Sequence, residues 1–150
     1  MAARRPRCDA ALSRRLVVPA CEPYPVASAG GGQPAEAAAA LSGSHGFVLG
    51  NPVHRSTYSS LTASFLEAVQ RAPGPLAGKP VAIVMTAAAP EHLLATERLN
   101  APLGSSFAAL CLTPELFLRS EAFEDERLSA RFEALARAHG EALGEQCLAW

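Results

Sequence analysis

A buried strand followed at once by a polar loop and a helix is the pattern that most constrains this chain. Residues 47–49 are a short apolar run, and the polar segment 51–59 follows it. A helix is predicted directly afterwards, because apolar side chains recur at helical spacing behind two serines that could cap it (Ser59, Ser60, Leu61, Phe65, Ala68 and Val69). Such strand-to-helix corners lie at the carboxyl edge of open α/β sheets, where these folds bind ligands.

The same alternation continues downstream. Residues 81–85 are a continuous apolar run, as expected for a parallel strand covered on both faces. Loop 86–90, a helix over 91–99 and a third apolar region over 107–118, interrupted by Pro114, follow it. The last predicted helix carries one apolar stripe and has acidic residues near its start (Leu128, Phe132, Leu135 and His139; Glu124, Asp125 and Glu126). Alternating strands and helices predict a doubly wound α/β fold with a parallel sheet sandwiched by helices.

The N-terminal part of the chain lacks this order. Residues 1–34 are predicted to be irregular, with a possible short strand at 16–18 and a long loop rich in proline and glycine after it. The alanine-rich segment 35–42 favours a helix. Residues 35–150 are therefore predicted to form the folded domain.

Composition excludes several classes of protein. At 150 residues the chain fits one domain, and its 49% hydrophobic and 18% charged residues argue against disorder and against a membrane protein. A net charge of -1 argues against nucleic-acid binding, so we expect a cytoplasmic protein without nucleic-acid or membrane partners. The cysteines are too scattered for a zinc site or a redox dithiol, and we expect them to be reduced and no metal to be bound (Cys8, Cys21, Cys111 and Cys147).

Two common catalytic motifs are also excluded. Gly78-Lys79 is followed by Pro80 where a phosphate-binding loop needs serine or threonine, and a strand follows where that loop needs a helix. No Gly-x-Ser-x-Gly elbow supports Ser-His-Asp hydrolysis. Surface or core-edge positions are expected for His45, His92 and His139, and no catalytic side chain is assigned.

Several segments, in the right order, resemble one family. Residues 52–60, Pro-Val-His-Arg-Ser-Thr-Tyr-Ser-Ser, are similar to a flavin-contacting loop of the NADPH-dependent FMN reductase family, usually Pro-x-aromatic-x-Gly-Ser-Tyr-Ser/Thr-Gly. Residues 76–81 match its Leu-x-Gly-Lys-Pro-Val segment, and residues 86–88, Thr-Ala-Ala, take the place of its Thr-Gly-Gly turn. Phe123 and the acidic residues after it resemble the Phe-Asp segment before its last helix. The resemblance covers residues 41–143.

This resemblance implies a flavodoxin-like fold, bound FMN, and reduction by NADH or NADPH. Residues 35–150 would then be a partial flavodoxin-like, FMN-binding domain. By position, one group of residues would line the isoalloxazine and ribityl chain (Pro52, Val53, His54, Arg55, Ser56, Thr57, Tyr58 and Ser59). A second group would form the other flavin-facing loop (Thr86, Ala87 and Ala88).

The chain departs from the family pattern within these loops. His54 stands where an aromatic residue is common, serines replace glycines at 56 and 60, and Ala87-Ala88 replace Gly-Gly. Each change adds bulk where backbone often approaches the cofactor, so flavin geometry or affinity is expected to differ. No strand with a Gly-Ser-x-Arg-x-x-Ser phosphate loop precedes Gly46. We therefore expect a fold that is incomplete at its N-terminus, from a misassigned start codon or a truncated gene.

Three functional hypotheses follow. The first is an FMN-dependent NAD(P)H oxidoreductase that passes hydride to free flavin or a small acceptor, with Arg55 contacting an anionic substrate or the nicotinamide phosphate. The second is an FMN-dependent dehydrogenase of a small cyclic carboxylate, of the 2-amino-4-deoxychorismate type, in antibiotic biosynthesis. The third is a non-catalytic, truncated interaction module. The resemblance also implies a homodimer.

Overall fold

A computed structural model of the chain describes residues 39, 41–70, 74–125 and 127–149. The predictions for residues 1–38, including the strand at 16–18 and the expected absence of a phosphate loop, lie outside this part. The described strands are β1 (Phe47–Pro52), β2 (Pro80–Ala87), β3 (Leu110–Cys111), β4 (Leu116–Arg119), β5 (Phe123–Glu124) and β6 (Arg127–Leu128). The helices are α1 (Ser60–Gln70), α2 (Leu94–Ser105) and α3 (Ala130–Leu148), with 3₁₀ turns at Pro90–Leu93 and Ser120–Ala122.

Strand β2 is the centre of a parallel sheet. One of its edges pairs with β1 along the whole length of that strand, from Phe47↔Val81 to Pro52↔Thr86. The other edge pairs first with β3 and then with β4, which are two pieces of one interrupted strand. Pro114 lies between the two pieces, as the sequence predicted. This order brings the carboxyl ends of β1, β2 and β4 to one edge of the sheet.

Helices cover both faces of this sheet. Val81, Ile83 and Met85 point to one face of β2 and pack with apolar side chains of α1 and α2 (Phe65, Leu66, Val69, Ala95, Leu99 and Leu103). Ala82 points to the opposite face, where it packs with Leu112 and with Leu143 of α3. The predicted doubly wound α/β sandwich is confirmed.

Two strand boundaries differ from the sequence prediction. Pro52 was assigned to the loop after the first strand, but it is the last residue of β1 and pairs in register with Thr86. Thr86 and Ala87 were assigned to a loop, but they belong to β2, where they pair with Leu118 and Arg119 of β4. Neighbouring strands on both sides extend β2 beyond its apolar run, which a single sequence does not reveal.

The prediction of a helix over 91–99 was wrong at both ends. Pro90 begins a 3₁₀ turn, and the α-helix starts only at Leu94. It continues to Ser105 because Leu99 and Leu103, four residues apart, are both fully buried and extend its apolar face. The free energy gained by this burial exceeds the cost of the helical hydrogen bond that Pro102 cannot donate.

The last helix begins later than predicted and buries only part of the predicted apolar stripe. Leu128 belongs to the hairpin of β5 and β6, and so does Glu124, so neither lies at the helix start. Asp125 lies between these two strands, and Glu126 is outside the described residues. Leu135 is 46% exposed, because α3 packs through Leu143 and half-buried neighbours on the same face (Phe132, Ala136, His139 and Cys147).

The Gly-Lys-Pro segment before β2 has a structural role. Gly78 has a φ of 72°, which glycine adopts without strain. The ammonium of Lys79, the only lysine in the sequence, donates to the carbonyls of Leu41 and Ser42 ahead of β1. Partial burial lowers the pKa of Lys79. Of the helices in the described ranges, none is long and apolar enough to cross a bilayer.

Candidate functional site

Two strand-to-helix corners lie side by side at the carboxyl edge of the sheet. We define the first corner as residues 51–59, from the end of β1 to the start of α1, and the second corner as residues 86–89, from the end of β2 onward. The backbone N–H of Val53 donates to the carbonyl of Thr86 at 2.8 Å, one step beyond the last paired residues of the strands. The sheet thus holds together the two segments that the sequence assigned to one site.

The tip of the first corner is a tight turn of His54, Arg55, Ser56 and Thr57. The N–H of His54 donates to the carbonyl of Thr57 at 2.8 Å, and the N–H of Thr57 donates back at 2.9 Å. Arg55 and Ser56 both have positive φ values, 45° and 62°. Turns with two such residues usually contain glycine or asparagine, so an arginine and a serine make this tip strained.

Asn51 ties the base of the first corner together. It is only 3% exposed, and its Oδ1 accepts from the N–H of Ser59 at 3.2 Å and from the Ser59 hydroxyl at 3.0 Å. The same oxygen accepts from the hydroxyl of Thr62, while Nδ2 donates to the carbonyl of Pro52 at 2.7 Å. One side chain therefore joins the end of β1 to the start of α1.

Ser59 caps helix α1. Its Oγ accepts from the N–H of Thr62 at 3.2 Å, and its carbonyl accepts from the N–H of Ala63 at 3.0 Å. The Ser59 hydroxyl is also bonded to Asn51. Most of the hydrogen-bonding capacity of this predicted cofactor-binding residue is therefore used within the protein. Of the two serines proposed as caps, the structure selects Ser59 over Ser60.

The other predicted site residues differ in exposure. The exposed ones are Pro52, His54, Arg55, Thr86 and Ala88, and the half-buried ones are Val53, Ser56, Thr57, Tyr58, Ser59 and Ala87. Val53 and Tyr58 pack against the main core, so their apolar surfaces form a wall beneath the first corner. The structure brings all eleven predicted positions to the one edge of the sheet.

The first corner also presents unpaired backbone donors. Within the described residues, the N–H groups of Arg55, Ser56 and Tyr58 have no hydrogen-bond acceptor. Backbone donors are normally satisfied, and those at a sheet edge can bond a ligand instead of water. Donors around an apolar wall fit a flat ring that carries carbonyl groups, which is the chemistry of an isoalloxazine.

Three residues at this edge were not assigned from the sequence as parts of the site. One sequence feature pointed to Asn51, because it is the first residue of the polar segment that follows the apolar run. Arg98 of α2 donates to the carbonyl of Ser56 at 3.0 Å, a contact between residues 42 apart with no local signal. Arg119 pairs in register with Ala87 and forms an ion pair with Glu121. Its position at the end of the third strand could have been inferred.

Other reactive side chains do not form a second centre. No group of three or more His, Cys, Asp or Glu side chains is placed to hold a metal ion in the described part of the chain. Burial, followed by the negative charge of Glu115, raises the pKa of the Cys111 thiol. Cys111 packs against the main core, and a thiol that resists ionisation is a poor nucleophile.

Comparison with known proteins agrees with this geometry. The sequence model of the NADPH-dependent FMN reductase family matches residues 11–123. A solved oxidoreductase from Corynebacterium diphtheriae is 30% identical with a TM-score of 0.64, and the match covers 78% of this chain and 63% of that chain. No curated protein sequence matches significantly.

Two further solved structures share the fold. The apo form of the NADH:FMN oxidoreductase EmoB is 23% identical with a TM-score of 0.56, over 77% of this chain and 59% of that one. FerB, a flavoenzyme NAD(P)H:(acceptor) oxidoreductase from Paracoccus denitrificans, is 17% identical with a TM-score of 0.58, over 76% and 65%. The chain spans less than two thirds of the length of each of these structures. Since the family match extends over most of the sequence, the chain belongs to the NADPH-dependent FMN reductase family.

Proposed function

We propose that this protein is an FMN-dependent NAD(P)H oxidoreductase whose flavin lies against the first and second corners. The reaction is NAD(P)H + H⁺ + oxidised acceptor → NAD(P)⁺ + reduced acceptor. Bound FMN would supply the two-electron exchange between nicotinamide and acceptor. The acceptor we propose is free flavin or another small molecule. The protein's own contribution is to bind, orient and shield.

This proposal is carried by three backbone N–H groups that have no acceptor within the described residues, those of Arg55, Ser56 and Tyr58. They belong to the same corner as Val53 and Tyr58, whose apolar side chains pack against the core. The carbonyl oxygens of a flavin's pyrimidine ring accept such donors, and its dimethylbenzene ring suits the wall. Backbone donors fixed by a sheet edge hold a ring without reorganisation, which favours one orientation.

The remaining predicted residues take supporting roles in the proposal. The exposed Thr86 hydroxyl and the small side chains of Ala87 and Ala88 leave room for the ring at the second corner. Arg55 is exposed at the tip, and its guanidinium suits a phosphate or carboxylate of the second substrate. No side chain has to act as nucleophile or general base in this account.

Steady-state oxidation of NADPH tests the proposal. With free FMN as the only acceptor, we expect saturable turnover at a rate well above the protein-free rate. Oxidation of a specific cyclic carboxylate, coupled to reduction of NAD(P)⁺ or another oxidised acceptor and without NADPH oxidation by free FMN, would instead favour the dehydrogenase hypothesis. A folded protein without turnover in either case would contradict an enzymatic function.

A matched pair of tryptophan variants tests the location of the site. Ala88→Trp fills the second corner, whereas Ala134→Trp adds the same bulk on the exposed face of α3. We expect Ala88→Trp to weaken FMN binding at least about tenfold, and Ala134→Trp to leave it unchanged. Equal FMN affinities for the two variants would place the flavin elsewhere.

A further inference from the structure

We infer that Arg98 is a positioning residue that compensates for the serine at position 56. Its bond to the Ser56 carbonyl holds the tip of the first corner in a conformation that the family pattern secures with glycine. Its test by FMN binding rests on the proposed function, whereas its test in the ligand-free protein does not.

Ser56 is the residue that needs compensation. Its φ is 62°, in the left-handed region, and the resembling loops carry glycine at this position. A side chain in that region disfavours the conformation by about five- to thirtyfold in population, whereas glycine adopts it freely. Arg55, with a φ of 45°, adds to the strain of the same turn.

Arg98 is well placed to offset this cost. Its guanidinium donates to the Ser56 carbonyl at 3.0 Å, so it bonds the strained residue itself. The side chain projects from α2, whose Ala95, Leu99 and Leu103 are fully buried and make the helix a firm support. Within the described residues no carboxylate forms an ion pair with Arg98, so its charge is available to the carbonyl.

The stabilisation by the Arg98 hydrogen bond and the penalty of the left-handed conformation at Ser56 are similar in size. A net hydrogen bond changes an equilibrium by about two- to twelvefold. That range overlaps the penalty of the left-handed serine, so one contact can restore most of the lost population. Because Arg98 lies on the helix after the second corner, the bond also couples the two corners that face the ligand.

A double-mutant cycle in the ligand-free protein tests the inference. Hydrogen exchange is measured at the amides of His54 and Thr57, whose N–H groups close the turn at the tip. The wild type, Arg98→Ala, Ser56→Gly and the double variant are compared. We expect Arg98→Ala to speed exchange by about three- to tenfold in the serine background and by less than about twofold in the glycine background. Arg137→Ala, an exposed arginine on α3, is the control and should change nothing.

Two results would overturn the inference. One is an exchange rate in Arg98→Ala equal to that of the wild type. The other is an equal acceleration by Arg98→Ala in both backgrounds, which would show that the arginine does not compensate for Ser56.

FMN titration of the same four proteins gives the ligand readout. We expect Arg98→Ala to raise the dissociation constant by about three- to tenfold, and Ser56→Gly to restore it in the double variant. Loss of affinity without rescue by glycine would contradict the inference. If the wild type bound no FMN, the proposed function would fail, while the exchange cycle would still decide the role of Arg98.

Discussion

At the scale of single residues, Gly46 shows how closely the elements approach one another. A Cβ at this position would lie 2.5 Å from the sulfur of Cys147 and 2.8 Å from the carbonyl oxygen of Pro80. Helix α3 therefore contacts the backbone just ahead of β1. Position 46 requires glycine because its neighbours leave no space for a side chain, and not because its backbone is left-handed.

Gly46→Ala should consequently destabilise the fold. We expect the free energy of unfolding, measured in urea, to fall by about 1–3 kcal/mol, because the added methyl group forces α3 away from the sheet. Gly50→Ala is the matched control, since a Cβ at Gly50 has no neighbour within 4 Å. Equal stability of the two variants would contradict this packing.

The raised pKa of Cys111 predicts that the stability of the fold depends on pH. Its pKa is raised in the folded state by burial and by Glu115, so folding favours the protonated thiol. This contribution to stability is complete below the pKa of the unfolded thiol and is lost as the pH rises through the folded pKa. Urea unfolding at pH 8 and pH 10 should show a larger loss for the wild type than for Cys111→Ala. An equal loss of stability in the two proteins would contradict the raised pKa of Cys111.

At the scale of elements, Asn51 joins β1 to α1. Asn51→Ala would leave the N–H of Ser59 and the hydroxyl of Thr62 without their acceptor. We expect unfolding in urea to show a loss of about 1–3 kcal/mol, the usual cost of buried unsatisfied donors. Asn100→Ala, which removes one half-buried bond to Glu115, should cost less. A larger effect at Asn100 would show that Asn51 does not anchor the corner.

Strands and helices were predictable from the sequence to different extents. The apolar runs at 47–49 and 81–85 predicted β1 and β2, because strands buried on both faces contain little else. Their ends were not predictable, since Pro52, Thr86 and Ala87 pair only through neighbouring strands. The buried face of α3 was predicted in part, because Phe132 and His139 lie on it whereas Leu135 is exposed. The sheet selects which helical stripe it contacts.

The candidate site was predictable in place but not in detail. The polar segment after the first strand predicted the first corner, and the resemblance of residues 86–88 to the family's Thr-Gly-Gly turn predicted the second. The glycine-to-serine change at 56 marked the turn whose left-handed conformation the structure shows. The bond from Arg98 was not predictable, because it joins helix α2 to a loop far away in the sequence.

At the scale of the whole molecule, one edge of β1 has no partner among the described strands. Val48 on this strand is 58% exposed. Open strand edges and exposed apolar side chains are features that protein partners cover. The expected homodimer stays a prediction. Sedimentation equilibrium should give a mass about twice the 15.6 kDa of the chain, and a mass of 15.6 kDa would contradict it.

Equilibrium dialysis of FMN against the full chain tests most directly whether the two corners hold a flavin. Far-UV circular dichroism of the same sample would establish that the protein is folded. We expect saturable retention of FMN on the protein side, at one flavin per chain. An equal FMN concentration on both sides of the membrane, with a folded protein present, would contradict it.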